Sequence, residues 1–281
     1  MPTLRYVVVD VFTDRALAGN PLAVFTDARE IDAETMQALA LEIGFSEITF
    51  LLPPESGGHA RVRIFNPRHE MPFAGHPLLG TAWVLAGPLQ RAVLELETGR
   101  GIVPIEVERD SSGALTLARM GQPVPSVLAL AEADELLDVL GVPRSELPVE
   151  VYDNGATHIV VTLESEEAVA SLNPDPAAIA RFEVTGVNCV AGSGDRWKTR
   201  MFWQFGEAPA TGSAAGPIAC HLCRHGLVQW GTEIEITQGV EIGRPSTLFA
   251  RAEGGPAGIE QVEVGGSAVI VARGEFRIGR G

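Results

Sequence analysis

Hydrophobic and polar positions along this chain recur with two different periods, and the pattern predicts short strands separated by a few helices. In the first half, apolar and β-branched runs are typical of strands. These runs occupy residues 6–9, 22–25, 47–52, 61–65, 93–97 and 102–108. Apolar residues at helical spacing predict helices over about 33–43 and 76–85. A candidate N-cap, Asp32, and a glycine stop, Gly44, frame the first of these helices.

The second half repeats this order of elements. Strands are predicted at 158–162, 187–190, 198–202 and 234–237, and helices at 131–140, 176–181 and 213–224. The mixture of strands, helices and long connections indicates strand-rich α+β units and argues against a simple sandwich. Residues 122–125 (QPVP) are the best linker candidate. We therefore predict two domains, residues 1–122 and 123–281, with a return of the last strand to the N-terminal domain as an alternative.

A thirteen-position pattern occurs twice in the chain. Residues 63–75 (RIFNPRHEMPFAG) align without a gap with residues 200–212 (RMFWQFGEAPATG), 137 positions later. Arg, Phe, Glu, Pro and Gly match, and a polar residue, His76 or Ser213, follows where each helix is predicted to begin. We interpret the repeat as an old duplication. Core packing alone is the alternative, and it explains the phenylalanines better than a glycine followed by a polar residue.

Composition excludes several classes of protein. With 46% hydrophobic and 20% charged residues, the chain can bury sizeable cores, so disorder is not expected. A formal net charge of −15 argues against a nucleic-acid groove, which needs clustered cations. No apolar run approaches the roughly 18–20 residues that cross a bilayer, and no signal peptide is recognisable. We expect a soluble, cytoplasmic protein without nucleic-acid or membrane partners, and its three cysteines do not make a disulfide framework.

The two predicted helix starts offer a way to bind an anion. The first turn of a helix carries unpaired N–H groups and a partial positive charge, and a glycine there lets a ligand approach the main chain. We expect Gly75 with His76, and Gly212 with Ser213, to hold a carboxylate or an enolate-like oxyanion between the two halves. Moving a proton next to such a group needs a base and an acid and no cofactor.

Glu47 is the candidate base. It follows the helix stop at Gly44 and precedes a fully apolar run, a position that favours partial burial and so disfavours the charged carboxylate. The alternative is a solvated charge at the start of a strand. His76 is a candidate second acid/base or a substrate hydrogen-bond donor, and its alternative is a solvent-facing residue at a helix start.

Two further motifs favour structural interpretations. Residues 220–225 (CHLCRH) contain metal-ligating residue types, but all lie on one predicted helix and the Cys and His pairs occupy different faces. Buried thiols with a surface histidine are therefore preferred, and no metal is expected. Ser213 has no evident base and Asp in the sequence, so a helix N-cap is preferred to a nucleophile.

Five segments contain closely spaced small, polar and apolar residues: 19–25 (GNPLAVF), 46–50 (SEITF), 72–81 (PFAGHPLLGT), 210–217 (ATGSAAGP) and 239–246 (GVEIGRPS). These segments closely resemble the PhzF family, the phenazine-biosynthesis isomerases. The resemblance spans nearly the whole chain. It implies an α+β, diaminopimelate epimerase-like fold of two pseudo-symmetric domains, each with a bent, mostly antiparallel sheet around a central helix. It also implies a homodimer.

The same resemblance implies a cofactor-independent isomerase. The phenazine-biosynthesis isomerase that gives the family its name moves a proton between carbons of trans-2,3-dihydro-3-hydroxyanthranilate without a metal or organic cofactor. Its acid/base glutamate falls on Glu47, and its two helix-start pairs fall on Gly75 with His76 and on Gly212 with Ser213. Epimerase relatives place cysteines in the site, and the cysteines of this chain match none of those positions. A two-thiol racemase is therefore disfavoured.

One residue departs from the family pattern. Ala208 stands where the family usually has an aspartate that is thought to assist in the site. Three explanations remain open: another small carboxylate substrate, such as a pyrroline carboxylate of an alkylproline antibiotic pathway; altered proton traffic through Glu47 alone or with His76; or an inactive copy that only binds. The 137-position repeat aligns Glu47 with Val184 and Ala208 with Met71. The candidate base therefore has no acidic counterpart in the other half, which favours a single-base proton shuttle.

Overall fold

The chain divides into two compact units in the computed structural model, which describes residues 3–278. The first unit runs to Met120 and resumes at Gly265, and the second unit is Gly121–Val264. Each combines strands with a few helices. Each unit is therefore α+β, as the pattern of hydrophobic positions predicts.

The regular elements follow one another in a fixed chain order. They are β1 (Thr3–Val11), β2 (Asn20–Phe25), α1 (Ala33–Ile43), β3 (Ile48–Leu52), β4 (Ala60–Phe65), β5 (Glu70–Met71), α2 (Gly75–Leu89), β6 (Val93–Thr98), β7 (Gly101–Arg109), β8 (Leu115–Gln122), β9 (Ser126–Ala129), α3 (Ala133–Leu140), β10 (Glu150–Asp153), β11 (Thr157–Thr162), α4 (Glu166–Ser171), α5 (Pro176–Ile179), β12 (Gly186–Ser193), β13 (Arg196–Trp203), β14 (Gly206–Ala208), α6 (Gly212–Arg224), β15 (Glu233–Gln238), β16 (Ser246–Gly255), β17 (Gly258–Gly266) and β18 (Ala268–Arg277). A short 3₁₀ turn, Ala180–Phe182, follows α5.

The first unit is built on a mixed sheet. Its strands lie in the order β18, β1, β2, β3, β4, β6, β7, β8. Neighbouring strands are antiparallel except for β2 with β3 and β4 with β6, which are parallel. The last strand, β18, pairs with β1 from Thr3 opposite Arg277 to Val11 opposite Ala268. The end of the chain therefore completes the sheet in which the chain begins.

Helix α2 is the central helix of this unit. It contacts β1, β2, β3, β6, β7 and β18, and its first nine residues are buried. A helix buried all round must be apolar all round, as its sequence GHPLLGTAWVLAGPL is. Gly80 permits the close approach of the strands, because a Cβ there would lie 2.6 Å from Leu22 Cδ2 and 2.7 Å from Val11 Cγ2. The buried packing fixes where the helix begins.

The second unit repeats this arrangement. Its strands lie in the order β9, β10, β11, β12, β13, β15, β16, with β11–β12 and β13–β15 parallel and the other neighbours antiparallel. Helix α6 contacts β11 and β16, and apart from Ser213 its residues from Gly212 to Cys223 are buried. It is the counterpart of α2, so the predicted similarity of the two halves is confirmed in the internal pairing of each unit.

The repeated arginine and glutamate form the same ion pair in each unit. Arg63 donates to both carboxylate oxygens of Glu70 at 2.6 Å across the β4–β5 hairpin. Arg200 donates to both carboxylate oxygens of Glu207 at 3.0 and 2.6 Å across β13–β14. Two-point contacts of this kind fix geometry as well as charge. The Arg and Glu of the repeat therefore hold the hairpin that leads into each central helix.

The boundaries of α1 follow from its capping residues. The Asp32 side chain accepts a hydrogen bond from the Thr35 N–H at 2.9 Å, and Gly44 ends the helix in the left-handed conformation with φ 71°. Both residues act as the sequence predicts. The sequence pattern does not predict the short elements β10 and α4, which are four and six residues long, because a period cannot be recognised over so few positions.

Removing the cap of α1 should weaken the first unit slightly. Asp32→Ala is expected to lower Tm by about 2–4 °C, since one N–H of the first turn loses its acceptor. Differential scanning fluorimetry measures the change. The matched control is Glu30→Ala, in the turn just before the helix, which should leave Tm unchanged. An equal fall in both variants would show that the cap contributes nothing specific.

Candidate functional site

Glu47 lies between α1 and β3 in the first unit. The chain turns at Gly44 and enters β3 at Ile48, so the Glu47 side chain is held at the mouth of a buried strand. That side chain is 20% exposed. The structure thus shows the partial burial that its sequence position predicts, and the carboxylate keeps a path to solvent or to a ligand.

His76 lies beside Glu47. It is the second residue of α2, its side chain is 7% exposed, and its Nδ1 lies 3.6 Å from Glu47 Oε2. Burial lowers the pKa of His76, and the nearby Glu47 charge opposes this without reversing it. The ring is therefore neutral at neutral pH. The alternative of a solvent-facing histidine is wrong, because the His76 side chain is buried.

The start of α2 has open hydrogen-bonding groups. Its N-cap, Ala74, provides no side-chain acceptor, and Pro77 in the first turn has no N–H. The N–H groups of Gly75 and His76 precede the first intrahelical hydrogen bond. Within residues 3–278, His76 Nε2 is also buried without a hydrogen-bond partner. A buried unsatisfied group costs about 1–3 kcal/mol, a cost that a polar ligand would remove.

A buried hydrogen bond fixes this helix to the strand that follows Glu47. Thr49 Oγ1 on β3 and Thr81 Oγ1 on α2 are 2.8 Å apart, and both residues are fully buried. The bond joins the strand that begins directly after Glu47 to the helix that contains His76. The two candidate site residues are therefore held close to connected elements.

The start of α6 in the second unit is open in the same way. Its N-cap, Thr211, does not cap the helix with its side chain. The Thr211 hydroxyl instead accepts from Gln238 Nε2 at 3.0 Å, and Gln238 Oε1 accepts from the Thr211 N–H at 3.0 Å. The carbonyl oxygens of Gly212 and Ser213 accept from Gln122 and Asn154 at 2.8 and 2.9 Å. Side chains thus hold this turn by its carbonyls, and within residues 3–278 no side chain caps its first N–H groups, which can donate to an anion.

Sequence reasoning missed one residue of this second region. His158, on β11, is fully buried, and its Nε2 lies 2.9 Å from Ser213 Oγ. The sequence shows no evident partner for Ser213, and the structure places His158 beside it. The prediction that Ser213 is a helix N-cap is wrong, because Thr211 is the N-cap and Ser213 is the second residue of α6. The available signal is a single histidine before the apolar run IVV of β11 (THIVVT), a pattern that predicts only a strand.

Ala208 is the last residue of β14 and lies opposite Met201. Its carbonyl oxygen accepts from Gln238 Nε2 at 2.9 Å, the same side chain that holds the start of α6. The main chain at this position therefore supports the helix start. The methyl side chain supplies no group that carries a proton.

The histidines of residues 220–225 belong to a buried ionic cluster. Glu150 Oε2 accepts from Arg224 Nη1 and the Tyr152 hydroxyl, both at 2.7 Å, from His225 Nε2 at 3.0 Å and from His221 Nδ1 at 3.1 Å. Burial alone would raise the pKa of Glu150, but these donors together lower it far below its usual range. Glu150, His221 and His225 have ligand atoms within 4.8 Å of one another, as a metal site would. The Arg224 guanidinium already supplies the cation, so the cluster is an ion-pair centre.

The cysteines are buried in the second unit. Burial raises the pKa of Cys189 and Cys220 to about 12 and that of Cys223 to about 11, so each is a neutral thiol at neutral pH. The interpretation of residues 220 and 223 as buried thiols is confirmed. The surface histidine expected beside them is wrong, because His221 is fully buried and His225 is half-buried. In the same described range, 3–278, no helix has the length and hydrophobicity needed to span a membrane.

Comparisons with known proteins agree with the motifs. Residues 9–274 match the family model PhzC-PhzF, described as phenazine biosynthesis-like protein. The chain is 47% identical over 273 residues to a trans-2,3-dihydro-3-hydroxyanthranilate isomerase of Pseudomonas fluorescens, covering 96% of this chain and 98% of that protein.

Solved structures agree as well. A phenazine biosynthesis protein of the PhzF family from Bacillus anthracis superposes with a TM-score of 0.86 at 24% identity, over 99% of this chain and all of that one. A predicted epimerase of Pseudomonas aeruginosa superposes with a TM-score of 0.83 at 31% identity, over 98% of this chain and all of that one. The epimerase-like fold predicted from the motifs is confirmed. The chain belongs to the PhzF family of phenazine biosynthesis-like proteins.

Proposed function

We propose that this protein is an isomerase that moves a carbon-bound proton in trans-2,3-dihydro-3-hydroxyanthranilate or a closely similar cyclic carboxylate. The observation that carries the proposal is the half-buried Glu47 carboxylate, 3.6 Å from a buried, neutral His76 at an uncapped helix start. The similarity to the Pseudomonas fluorescens isomerase supports this substrate class. The product would be an intermediate of phenazine or antibiotic biosynthesis.

The open N–H groups supply the binding of the substrate carboxylate. Those of Gly75 and His76 lie at the positive end of the α2 dipole, where an anion is favoured. Gly212 and Ser213 offer the same groups at the start of α6. That both helix starts act on one ligand stays a prediction. Binding of this kind also stabilises negative charge that spreads from a breaking C–H bond into the conjugated carboxylate.

Glu47 carries the proton. Its carboxylate takes a proton from one ring carbon, and the C–H electron pair enters the conjugated π system. The carboxylic acid so formed returns the proton at another carbon, where the π system supplies the electron pair. The substrate gains and loses one proton, no electron is transferred to another molecule, and Glu47 ends ionised as it began. The residues therefore account for an isomerisation without any redox partner.

His76 assists through hydrogen bonding. The Glu47 charge beside Nδ1 favours a proton on that nitrogen. The other nitrogen, Nε2, has no partner among residues 3–278 and so is available to a hydroxyl or amino group of the ligand. His76 therefore orients the substrate next to the base.

An assay in heavy water tests the proposed function. The protein is incubated with trans-2,3-dihydro-3-hydroxyanthranilate in D₂O, and the product is analysed by NMR and mass spectrometry. The proton on the Glu47 carboxylic acid exchanges with D₂O because the side chain is 20% exposed, so deuterium at a single ring carbon of an isomerised product is the expected result. A parallel incubation with a pyrroline carboxylate tests the substrate that the missing aspartate leaves open. Tight binding of either compound without any conversion would instead support an inactive binding protein.

The side chain at position 208 provides a second prediction. If Glu47 carries the proton alone, Ala208→Asp should change kcat by less than about threefold, because proton transfer then needs no second acid at position 208. Steady-state kinetics measure this, with Ala208→Asn as the control for size and polarity. A tenfold rise that is confined to the Asp variant would contradict the single-base mechanism and show that this chain has lost a useful acid.

The remaining expectations concern assembly and location. We propose a homodimer in the cytoplasm whose partner is a small carboxylate, with no cofactor, nucleic acid or membrane involved. Light scattering measures the oligomeric state directly.

A further inference from the structure

The contact between His158 and Ser213 has a direction that the surrounding groups determine. His158 Nε2 and Ser213 Oγ are 2.9 Å apart, and the ring is fully buried between strands of the second unit. Either group can donate such a bond. A neutral histidine has one nitrogen with an N–H and one with a lone pair. The group that faces Nδ1 therefore decides whether Nε2 donates to Ser213 Oγ or accepts from it.

That group belongs to Asn188 on β12. Its Nδ2 lies 3.2 Å from the Ile159 carbonyl oxygen, 3.4 Å from that of Gly186 and 3.4 Å from His158 Nδ1. Backbone carbonyls only accept, so the amide group that faces them must be the NH₂. The opposite orientation would place Oδ1 against two carbonyl oxygens. His158 Nδ1 therefore faces a donor and must be the nitrogen with the lone pair.

The proton of the neutral ring is consequently on Nε2, and His158 donates to Ser213. Burial lowers the pKa of His158 to about 4 even though Asp153 raises it, so the neutral form prevails at neutral pH. This direction excludes a base that activates a serine nucleophile, because such a base would have to accept the hydroxyl proton. The serine oxygen is instead the acceptor.

The hydroxyl proton of Ser213 is left without an acceptor. Within residues 3–278 the Ser213 side chain makes only the bond to His158. Ser213 is the second residue of α6 and is half-buried, beside N–H groups that favour an anion. A hydroxyl that receives a hydrogen bond also becomes a stronger donor, since neighbouring bonds polarise one another.

We propose that His158 is a positioning residue that orients the Ser213 hydroxyl as a hydrogen-bond donor to the carboxylate of the substrate. The proposal deepens the proposed function, on which it rests for the ligand class. It assigns Ser213 to binding of an anion and not to covalent chemistry. It also gives Asn188 a role in holding the histidine tautomer.

The tautomer itself is open to measurement. Long-range ¹H–¹⁵N NMR of protein labelled in its histidines distinguishes an Nε2–H ring from an Nδ1–H ring, and comparison with His158→Gln assigns the signal. The expected result is a protonated Nε2 and an unprotonated Nδ1. A proton on Nδ1 would overturn the proposal whatever the enzyme acts on.

Variants test the consequence for binding. The probe is 2-aminobenzoate, titrated calorimetrically into the full chain, with uncharged 2-aminobenzamide as the matched ligand. His158→Leu should weaken 2-aminobenzoate binding about tenfold and affect the amide much less, because a donor to a charged group is lost. His158→Gln, which retains an N–H donor, should bind within about threefold of the wild type. In turnover, KM should rise with kcat nearly unchanged.

A double variant separates positioning from a structural role. Because His158 acts through Ser213, His158→Leu combined with Ser213→Ala should bind no more weakly than Ser213→Ala alone. The proposal would be contradicted if the losses of affinity in the two single variants added up in the double variant, or if a folded His158→Leu protein bound 2-aminobenzoate with native affinity. If the wild type binds 2-aminobenzoate in this His158-dependent way but isomerises nothing, the proposed function fails and the inference stands. If the wild type isomerises the substrate and His158→Leu leaves KM unchanged, the proposed function stands and the inference fails.

Discussion

Glu47→Gln is expected to lower turnover of trans-2,3-dihydro-3-hydroxyanthranilate by a factor of about 10² to 10⁴. The amide keeps the size of the carboxylate but takes up no proton from carbon, so the step that Glu47 carries is lost. Because Glu47 is 20% exposed and His76 beside it is neutral, the substitution leaves no buried charge unpaired, and folding should be retained. Deuterium uptake from heavy water into the product measures the step itself.

The matched control is Glu42→Gln, an exposed glutamate near the end of α1. This variant should turn over at the wild-type rate. Calorimetric titration of 2-aminobenzoate completes the comparison, since Glu47→Gln should bind this carboxylate nearly as well as the wild type. Native turnover in Glu47→Gln would remove the residue from the mechanism. Loss of both binding and turnover would assign it to the binding site instead.

Glu150→Gln is expected to lower the free energy of unfolding at pH 7 by about 3 kcal/mol. The carboxylate accepts from Arg224, His221, His225 and Tyr152, and its side chain is only 11% exposed. A neutral amide leaves the Arg224 charge without its counter-ion and offers two donors to a cluster of donors. Urea unfolding measures the loss. Glu146→Gln, which removes an exposed pair with Arg144, is the control and should cost less than about 1 kcal/mol.

The same pair of proteins should show a defined dependence on pH. The pKa of Glu150 is lowered on folding, so its stabilisation is fully present above the unfolded value of about 4.3 and is lost as pH falls below it. Burial lowers the pKa of His221 and Glu150 opposes this shift, so Glu150→Gln should lower the His221 pKa further and lose more stability than the wild type as pH falls below about 6.5. The difference between wild type and Glu150→Gln should therefore grow between about pH 7 and 5. It should shrink below about pH 4.3, because the unfolded chain takes up a proton at Glu150 there and the folded chain does not. A difference that keeps growing below pH 4 would contradict the assignment.

Position along the chain was enough to identify the candidate base and the helix starts. Glu47 follows a capped helix and precedes an apolar strand, and both features depend on residues within a few positions. Gly75 and Gly212 begin central helices because apolar segments of helical length follow them. Motif resemblance then indicated the family. Such signals are local, and a sequence displays them directly.

Contacts between distant parts of the chain were not predictable in this way. His158 and Ser213 are 55 positions apart, and Glu150 and His221 are 71 apart. Whether two such side chains meet depends on strand register and on the rotation of a buried helix against its sheet, and a shift of one residue turns a strand side chain to the other face. The sequence pattern therefore does not show that Glu150 is the carboxylate partner of His221 and His225.

The amino-acid sequence predicts the α+β class, the cap of α1, the duplicated arginine and glutamate, and the position of Glu47 before a buried strand, because period, capping and turn chemistry act over a few residues. The buried, neutral state of His76 beside Glu47, and the donor direction that Asn188 and His158 give to Ser213, are visible only in the folded chain. Burial and hydrogen-bond direction are properties of packed neighbours, and those neighbours come from strands and helices far apart in the chain.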